Sequence, residues 1–287
     1  SGFARLRDIA DRRAGKARRF GATAFFGAWR LAEVAFPAKV VSLLISDVPG
    51  DDPSSIASGP TVLDSSTFAD ALEIFERYEL DQPAAKRVLT QGVAGNLPDT
   101  PDETAACFSR TETHIVATAQ GMLEAAANTF RQEGITPLIL TNSLTGEAKD
   151  VAKVHAALAR QVCDHGQPLA RPCALLSGGE TSVTIRQTDT DETGRGGRNC
   201  EFLLALAIEL AGLPNTYALA ADSDGIDGIG DAAGAIISPD SLPFGLREAR
   251  DYLTRHDAYT YFERLGTLIK TGPTHINVND LRVVLIL

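Results

Sequence analysis

Thr136-Pro137-Leu138-Ile139-Leu140-Thr141, the amphipathic run from Glu147 to Val162, and Ala174-Leu175-Leu176 read as strand, helix and strand, and this stretch decides the fold. Upstream, Ile115 to Thr118 predicts another strand and Met122 to Arg131 another helix. From His114 the order is therefore strand–helix–strand–helix–strand, the signature of a parallel sheet with right-handed crossovers. The expected class is α/β, with parallel or mixed sheets flanked by helices.

Further out, Val40 to Ile45 is a continuous apolar, β-branched run that suits a strand buried on both faces. Helical spacing follows in Phe68 to Tyr78, and Pro83 to Leu89 predicts a second helix because proline is favoured in a first turn. Gly92 to Glu103 reads as a loop. Downstream, Ser182 to Arg186 and Thr216 to Ala220 predict strands, Leu246 to Leu253 and Ala258 to Leu265 helices, and Arg282 to Leu287 a closing apolar strand. His165-Gly166-Gln167-Pro168 interrupts the pattern and sets an expected domain border near 166–172.

Composition bounds the rest. The chain has 287 residues, 44% hydrophobic and 22% charged, enough for two ordinary domains or one large one. A net charge of −10 argues against a general nucleic-acid binder and fits a small anionic substrate met at a local basic site. No apolar run approaches the ~18–20 residues of a membrane span. The four cysteines show no paired metal spacing and suit a reducing cytosol, so a cytoplasmic location is expected. The five histidines are scattered and argue against a zinc site. Residues 1–29 are rich in arginine, imitating a transit peptide, but begin Ser1-Gly2 without methionine; they are left unassigned, helical or poorly ordered.

Two glycine-bearing turns carry the chemistry. Cys173 to Leu176 reads as a strand ending in Ser177-Gly178-Gly179-Glu180-Thr181, whose backbone amides would form a concave nest for anions, phosphate above all. Gly194-Arg195-Gly196-Gly197-Arg198-Asn199 adds two guanidiniums suited to bidentate phosphate contact. It opens onto the apolar helix Glu201 to Ala207, whose N-terminus carries partial positive charge. Either turn alone also reads as a tight turn or a surface loop; their joint occurrence points to phosphate chemistry.

Carboxylates gather after two buried strands: Asp47, Asp51 and Asp52 after one, Asp222, Asp224, Asp227 and Asp231 after the other. Ligands of open α/β sheets bind beyond strand carboxyl ends, where such groups suit Mg²⁺ or one could act as a general base. Asp-Gly and Pro-Gly are also ordinary turn chemistry. Gly228-Ile229-Gly230-Asp231-Ala232-Ala233 matches the GxGxxA form of the dinucleotide fingerprint, but polar Asp222 to Asp227 separates it from its strand. There is no Walker A sequence and no GxSxG. Thr271 to Asp280 is a last polar loop, equally readable as a turn or as a binding segment.

These motifs together resemble the glycerate 2-kinase family with a C-terminal MOFRL domain, whose members also carry the label hydroxypyruvate reductase. The resemblance rests on Ser46-Asp47-Val48-Pro49-Gly50-Asp51-Asp52, Ser58-Gly59-Pro60-Thr61, Leu176 to Thr181, Gly194 to Asn199, Asp224-Gly225-Ile226-Asp227-Gly228, Asp231-Ala232-Ala233-Gly234, Thr271-Gly272-Pro273-Thr274 and Asn277-Val278-Asn279-Asp280-Leu281, in that order. It implies ATP- and Mg²⁺-dependent phosphorylation of D-glycerate at its 2-hydroxyl. It also implies two α/β domains with the active site in the cleft between them: 30–170, the remainder of the N-terminal domain, and 171–287, the MOFRL-type domain. By the same resemblance Arg195 and Arg198 act on the transferring phosphoryl group. Ser177, Gly178, Gly179, Glu180 and Thr181, with Gly196, Gly197 and Asn199, would cradle phosphate. Asp47 is a catalytic candidate, and Asp51 and Asp224 are metal candidates. Glycerate and a nucleotide are the expected partners, without nucleic acid or membrane; the oligomeric state stays open, a homodimer among the options.

The sequence departs from the family at Cys200, where the family has glutamine, and at His275, where it has glycine. The family's N-terminal Rossmann-like portion, with its lysine and a Gly-Gly-Gly-Ser turn, has no counterpart here, and Lys16 is not that lysine. An expected truncated or rearranged member follows, with an NAD(P)H-dependent hydroxypyruvate reductase and a catalytically impaired anion-binding fragment as the alternatives.

Overall fold

The computed structural model describes residues 31–101, 103–185 and 194–287. The arginine-rich segment 1–29 and Arg186, the last residue of one predicted strand, lie outside the described residues. The chain divides into two compact units, one up to Val116 and one from Ala117 to Leu287.

In the first unit α1 (Leu31–Ala35) precedes β1 (Val40–Ile45), and α2 (Phe68–Arg77) and α3 (Pro83–Val93) precede β2 (Thr111–Ala117). Helix α2 begins at a reciprocal cap. The Thr67 hydroxyl accepts from the Asp70 N–H, and the Asp70 carboxylate accepts from the Thr67 N–H at 2.7 Å. Pro83 opens α3, where its missing N–H costs nothing. Ala71, Phe75 and Leu89 bury between these two helices. Strand β2 pairs with β1 in a two-stranded sheet, and β1 exposes alternate residues rather than burying both faces. The alternation from His114 is therefore shared between two sheets, not one.

The second unit runs α4 (Ala119–Gln132), β3 (Thr136–Leu144), α5 (Ala148–His165), β4 (Cys173–Gly179), α6 (Arg198–Leu210), β5 (Thr216–Asp222), β6 (Gly234–Ile237), α7 (Leu246–Thr254), α8 (Ala258–Leu265), β7 (Leu268–Ile269) and β8 (Asp280–Ile286). Its sheet has the order β3-β4-β8-β5-β6-β7. Strands β3 and β4 are parallel, as the α5 crossover requires, whereas β8 enters antiparallel between β4 and β5. The sheet is thus mixed. The interruption at 166–172 falls inside this unit, because the strands on either side of it are paired neighbours. Ser182 to Ile185 forms no strand and makes a single bridge from Ser182 to Glu147.

The sheet is covered on both faces, which accounts for the fully buried β4. Period-two alternation sends Cys173, Leu175, Val284 and Ile286 towards α5 to α8, and Leu176 and Val283 towards Leu123 and Ala127 of α4. In α6 every residue but Arg198 and Glu209 is buried, which fits a helix that is apolar all round. Gly179 ends β4 at φ 110°, and a Cβ there would lie 2.2 Å from the Leu144 nitrogen, so no side chain fits.

Candidate functional site

The site grows from the even-numbered positions of β5 and β8, which face α6. Asp222 and Asp280 are direct cross-strand partners, an arrangement of like charges that is unfavourable unless something lies between them. Arg198 does. Its Nε lies 3.0 Å from both Asp280 oxygens and one Nη donates to Asp222 at 2.6 Å. The other Nη faces the exposed Glu180 at 3.1 Å. Burial alone would weaken this guanidinium's charge; Asp280, Asp222 and Glu180 more than offset it and hold the proton more tightly than in free arginine.

Arg282 lies wholly buried beneath. It donates to Asp280 at 2.5 Å and to the Thr181 hydroxyl at 2.9 Å, with its guanidinium 5.4 Å from the Phe202 ring centroid. Burial lowers its pKa, and raises that of Asp222 to about 7 with further help from Asp280. Ser177, on the same face of β4, donates to Nε2 of His155, whose Nδ1–H reaches the Val151 carbonyl at 2.9 Å. Burial depresses the pKa of that histidine, which is therefore the neutral spacer of the cluster.

The N-terminus of α6 already holds an anion. Asp227 reaches back from the loop after β5 and accepts from the Asn199 N–H at 2.9 Å and the Cys200 N–H at 2.8 Å. These are orphan donors of the first helical turn, and a carboxylate there also meets the positive end of the helix. Gly197 makes the approach possible: a Cβ on it would lie 2.4 Å from an Asp227 carboxylate oxygen. Burial pushes both the Asp227 carboxyl and the Cys200 thiol upward, so Cys200 is an inert thiol.

Above this layer opens a groove of about 300 Å³. One wall is Thr181, Ser182, Val183 and Ile185; the other is Gly194, Gly196, Gly197 and Arg198, with Gly228 and Ile229 beside them. Glu201 and His256 complete the lining, joined by a 2.9 Å contact from Nδ1 of His256 to the Glu201 carboxylate. Burial raises the Glu201 pKa, and His256 opposes that rise. Arg195 takes another direction. Its backbone N–H is held by Asp257 at 2.9 Å, and its guanidinium stacks 4.2 Å above the Tyr259 ring, half exposed.

The geometry corrects two expectations. Ser177, Gly178 and Gly179 are not a nest after the strand; they are the strand, paired with Arg282, Leu281 and Asp280. Their main chain belongs to the sheet, because β8 supplies a partner the local sequence does not reveal. The helix N-terminus predicted to receive phosphate is occupied by Asp227, and Asn199 turns its side-chain amide inward to Asp280 at 2.8 Å. Glu180, Thr181, Gly196, Gly197 and Arg198 do come together. Asp47 and Asp51 lie in the loop after β1 in the first unit; Asp224 lies in the second, where one of its oxygens accepts from the Ile226 N–H at 2.8 Å. Among the described residues no three His, Cys, Asp or Glu side chains cluster as metal ligands. The GxGxxA run joins the antiparallel strands β5 and β6 and leads into no helix, so the dinucleotide fingerprint lacks its context. Arg282, Glu201, His256 and His155 escape a reading of the sequence, since a lone charged residue in an apolar run carries no local sign of its partner.

Comparison with known proteins bears on the family and the fold. The family signature described as MOFRL family matches residues 173–280, and one described as Domain of unknown function (DUF4147) matches 26–91. An Agrobacterium vitis protein named "Putative hydroxypyruvate reductase" is 48% identical over 89% of this chain and 57% of its own length. The D-glycerate 2-kinase of Thermotoga maritima is 37% identical over 90% of this chain and 59% of its own, and the glycerate kinase of Macaca fascicularis 30% identical over 88% and 74%. A crystal structure of glycerate kinase from Thermotoga maritima superposes with a TM-score of 0.77 at 36% identity, covering 91% of this chain and 60% of that one. The chain thus spans 57% and 59% of the length of the first and second of these curated relatives. Among the described residues no helix is long and apolar enough to cross a membrane. Shared signatures, a relative matched over most of its length and a common α/β fold together place this chain in the glycerate kinase family.

Proposed function

We propose that this chain carries the phosphoryl-transfer site of an ATP-dependent glycerate 2-kinase, which moves the γ-phosphoryl group of ATP to the 2-hydroxyl of D-glycerate. The observation that carries this reading is that the two turns flanking residues 186–193, Thr181 to Ile185 and Gly194 to Arg198, wall one small groove with a guanidinium at its edge. Phosphoryl transfer is mainly a matter of positioning and charge stabilisation. A guanidinium fixed by carboxylates on its inner side, with the exposed Glu180 as its outer partner, can exchange that weak contact for a phosphate oxygen at little cost. The names of the Thermotoga maritima and Macaca fascicularis relatives support the same reaction.

Mg²⁺ belongs to this proposal only in part. Of the three carboxylates Asp222, Asp280 and Asp224, the first two are committed to Arg198 and Arg282, whereas Asp224 accepts from the Ile226 N–H through one oxygen. One carboxylate plus substrate phosphates is a common Mg²⁺ environment, so Asp224 is the candidate ligand here, and no step is routed through the ion. The location that goes with this reading is the cytoplasm.

The discriminating experiment supplies D-glycerate with ATP and Mg²⁺ and, separately, hydroxypyruvate with NADH. Formation of 2-phosphoglycerate, followed by ³¹P NMR, is the expected result. NADH oxidation without any ATP-dependent product would overturn the kinase reading in favour of the reductase named for the Agrobacterium vitis relative.

A further inference from the structure

His256 has an unusual position. It follows α7 at the site where the helix turns left-handed, with φ 54°. The Asp257 N–H returns to the Tyr252 carbonyl at 2.9 Å and the His256 N–H to Leu253 at 3.2 Å, the double closure that normally favours glycine at this position. A histidine there is strained, and strain of this kind is a reason to look for a function. What the strained backbone achieves is to set the imidazole beside the groove, with Nδ1 on the buried Glu201 carboxylate.

Among the described residues that line the groove, Glu201 and His256 are the carboxylate and the imidazole; the others are aliphatic, glycine, hydroxyl or guanidinium groups. The carboxylates just below are already bonded: Asp222 and Asp280 to Arg198, and Asp227 to the α6 amides. With Nδ1–H donated to Glu201, the tautomer of His256 is fixed and Nε2 keeps its lone pair. Nε2 has no partner among the described residues.

Resting on the kinase reading above, we propose that Nε2 of His256 is the base for the attacking hydroxyl and that Glu201 is its positioning residue. The O–H bond of the substrate breaks and its proton passes to Nε2. The oxygen forms the new bond to the γ-phosphorus, while the bond from that phosphorus to the β,γ-bridging oxygen breaks and ADP leaves with the electron pair. The imidazolium, balanced by Glu201, then returns its proton to water. Base catalysis of this kind contributes on the order of 10²–10⁴ in rate.

The charged groups around the pair are Arg198 one turn earlier on α6, Glu147 and Lys149 at the start of α5, Glu180 beyond Arg198, and Arg255 and Asp257 flanking His256. Arg255 is stacked on Tyr252 and Asp257 is bonded to the Arg195 N–H, so neither competes for Nε2.

The test compares the full chain with His256→Gly and Glu201→Gln, using ATP and D-glycerate. Glycine is the residue the left-handed turn prefers, so His256→Gly is expected to keep its thermal midpoint while kcat falls on the order of 10²-fold or more. Added imidazole is expected to restore part of that rate. Glu201→Gln, which loosens the hold on Nδ1, is expected to lower kcat with KM unchanged, a split that a merely structural role would not produce. A His256→Gly enzyme with kcat within about threefold of the parent would overturn the dyad alone, leaving the kinase reading intact. A parent chain that makes no 2-phosphoglycerate would overturn the kinase reading, and the dyad with it.

Discussion

Nε of Arg198 lies 3.0 Å from both carboxylate oxygens of Asp280, a residue 82 positions away that is itself completely buried. The same guanidinium separates Asp280 from Asp222 on the neighbouring strand. Arg198 therefore has a structural duty inside the fold as well as an edge on the groove.

Removing it should cost stability before any chemistry is measured. Arg198→Ala strips Asp222 of its cation and leaves Asp280 with Arg282 alone, a loss of about 3–5 kcal/mol. Urea unfolding should show this as a lower midpoint, with Arg198→Lys intermediate because a point charge cannot replace the planar fork. Combining Arg198→Ala with Asp222→Asn should recover part of the loss. An unshifted midpoint in Arg198→Ala would show that the ion network contributes nothing to the fold.

The network also predicts a pH dependence. Asp222, Asp227 and Asp280 are buried with Arg198 and Arg282, three carboxylates against two guanidiniums, and Asp222 is raised from 3.8 to about 7. An acid with a raised folded-state pKa binds its proton more tightly when folded. Its stabilisation is complete below about pH 4 and is lost as the pH climbs towards 7, with a limiting slope of about 1.4 kcal/mol per pH unit per proton. Asp222→Asn mimics the protonated form at all pH values. It should match the parent near pH 4, exceed it near pH 7.5, and flatten the curve between. A parallel pair of stability curves would exclude Asp222 as the titrating group.

Much of this was legible in the chain. Val40–Ile45 and Ala258–Leu265 appear with the predicted bounds, because apolar periodicity is local. The pairing of β8 between β4 and β5 was not, since it joins residues 58 or more positions apart and turned the Ser177-Gly178-Gly179 nest into a ladder. Arg282 lies in a run read simply as an apolar strand, and nothing adjacent to it announces Asp280 as a buried partner. His275, where the family resemblance expects glycine, adopts φ 62°, which explains the family's glycine and shows that local strain is tolerated here. His256 carried no signal at all, because only the tertiary fold brings it to Glu201.

The capped helix supplies a rescue experiment. Asp227→Ala removes the acceptor for the Asn199 and Cys200 amides, which should cost about 2 kcal/mol. Formate is small enough to take the vacated place, so it should raise the thermal midpoint of Asp227→Ala and leave the parent unmoved. Gly197→Ala should be destabilised comparably, since its Cβ collides with the same carboxylate, but without formate rescue. Equal responses of Asp227→Ala and parent to formate would mean that the helix end is not an anion site.

Arg195 allows a cleaner reading of chemistry than Arg198. Its guanidinium is half exposed, stacked on Tyr259, with the Glu263 carboxylate 3.9 Å away. Exposed contacts of this kind contribute under about 1 kcal/mol, so Arg195→Ala should unfold at nearly the parent urea concentration. If this arginine swings from Tyr259 onto the transferring phosphoryl group, kcat should nevertheless fall on the order of 10³-fold. The ratio of the two effects is the measurement: loss of turnover at constant stability assigns Arg195 to the transition state, whereas unchanged turnover leaves it as a surface stack and puts the charge stabilisation on Arg198 alone.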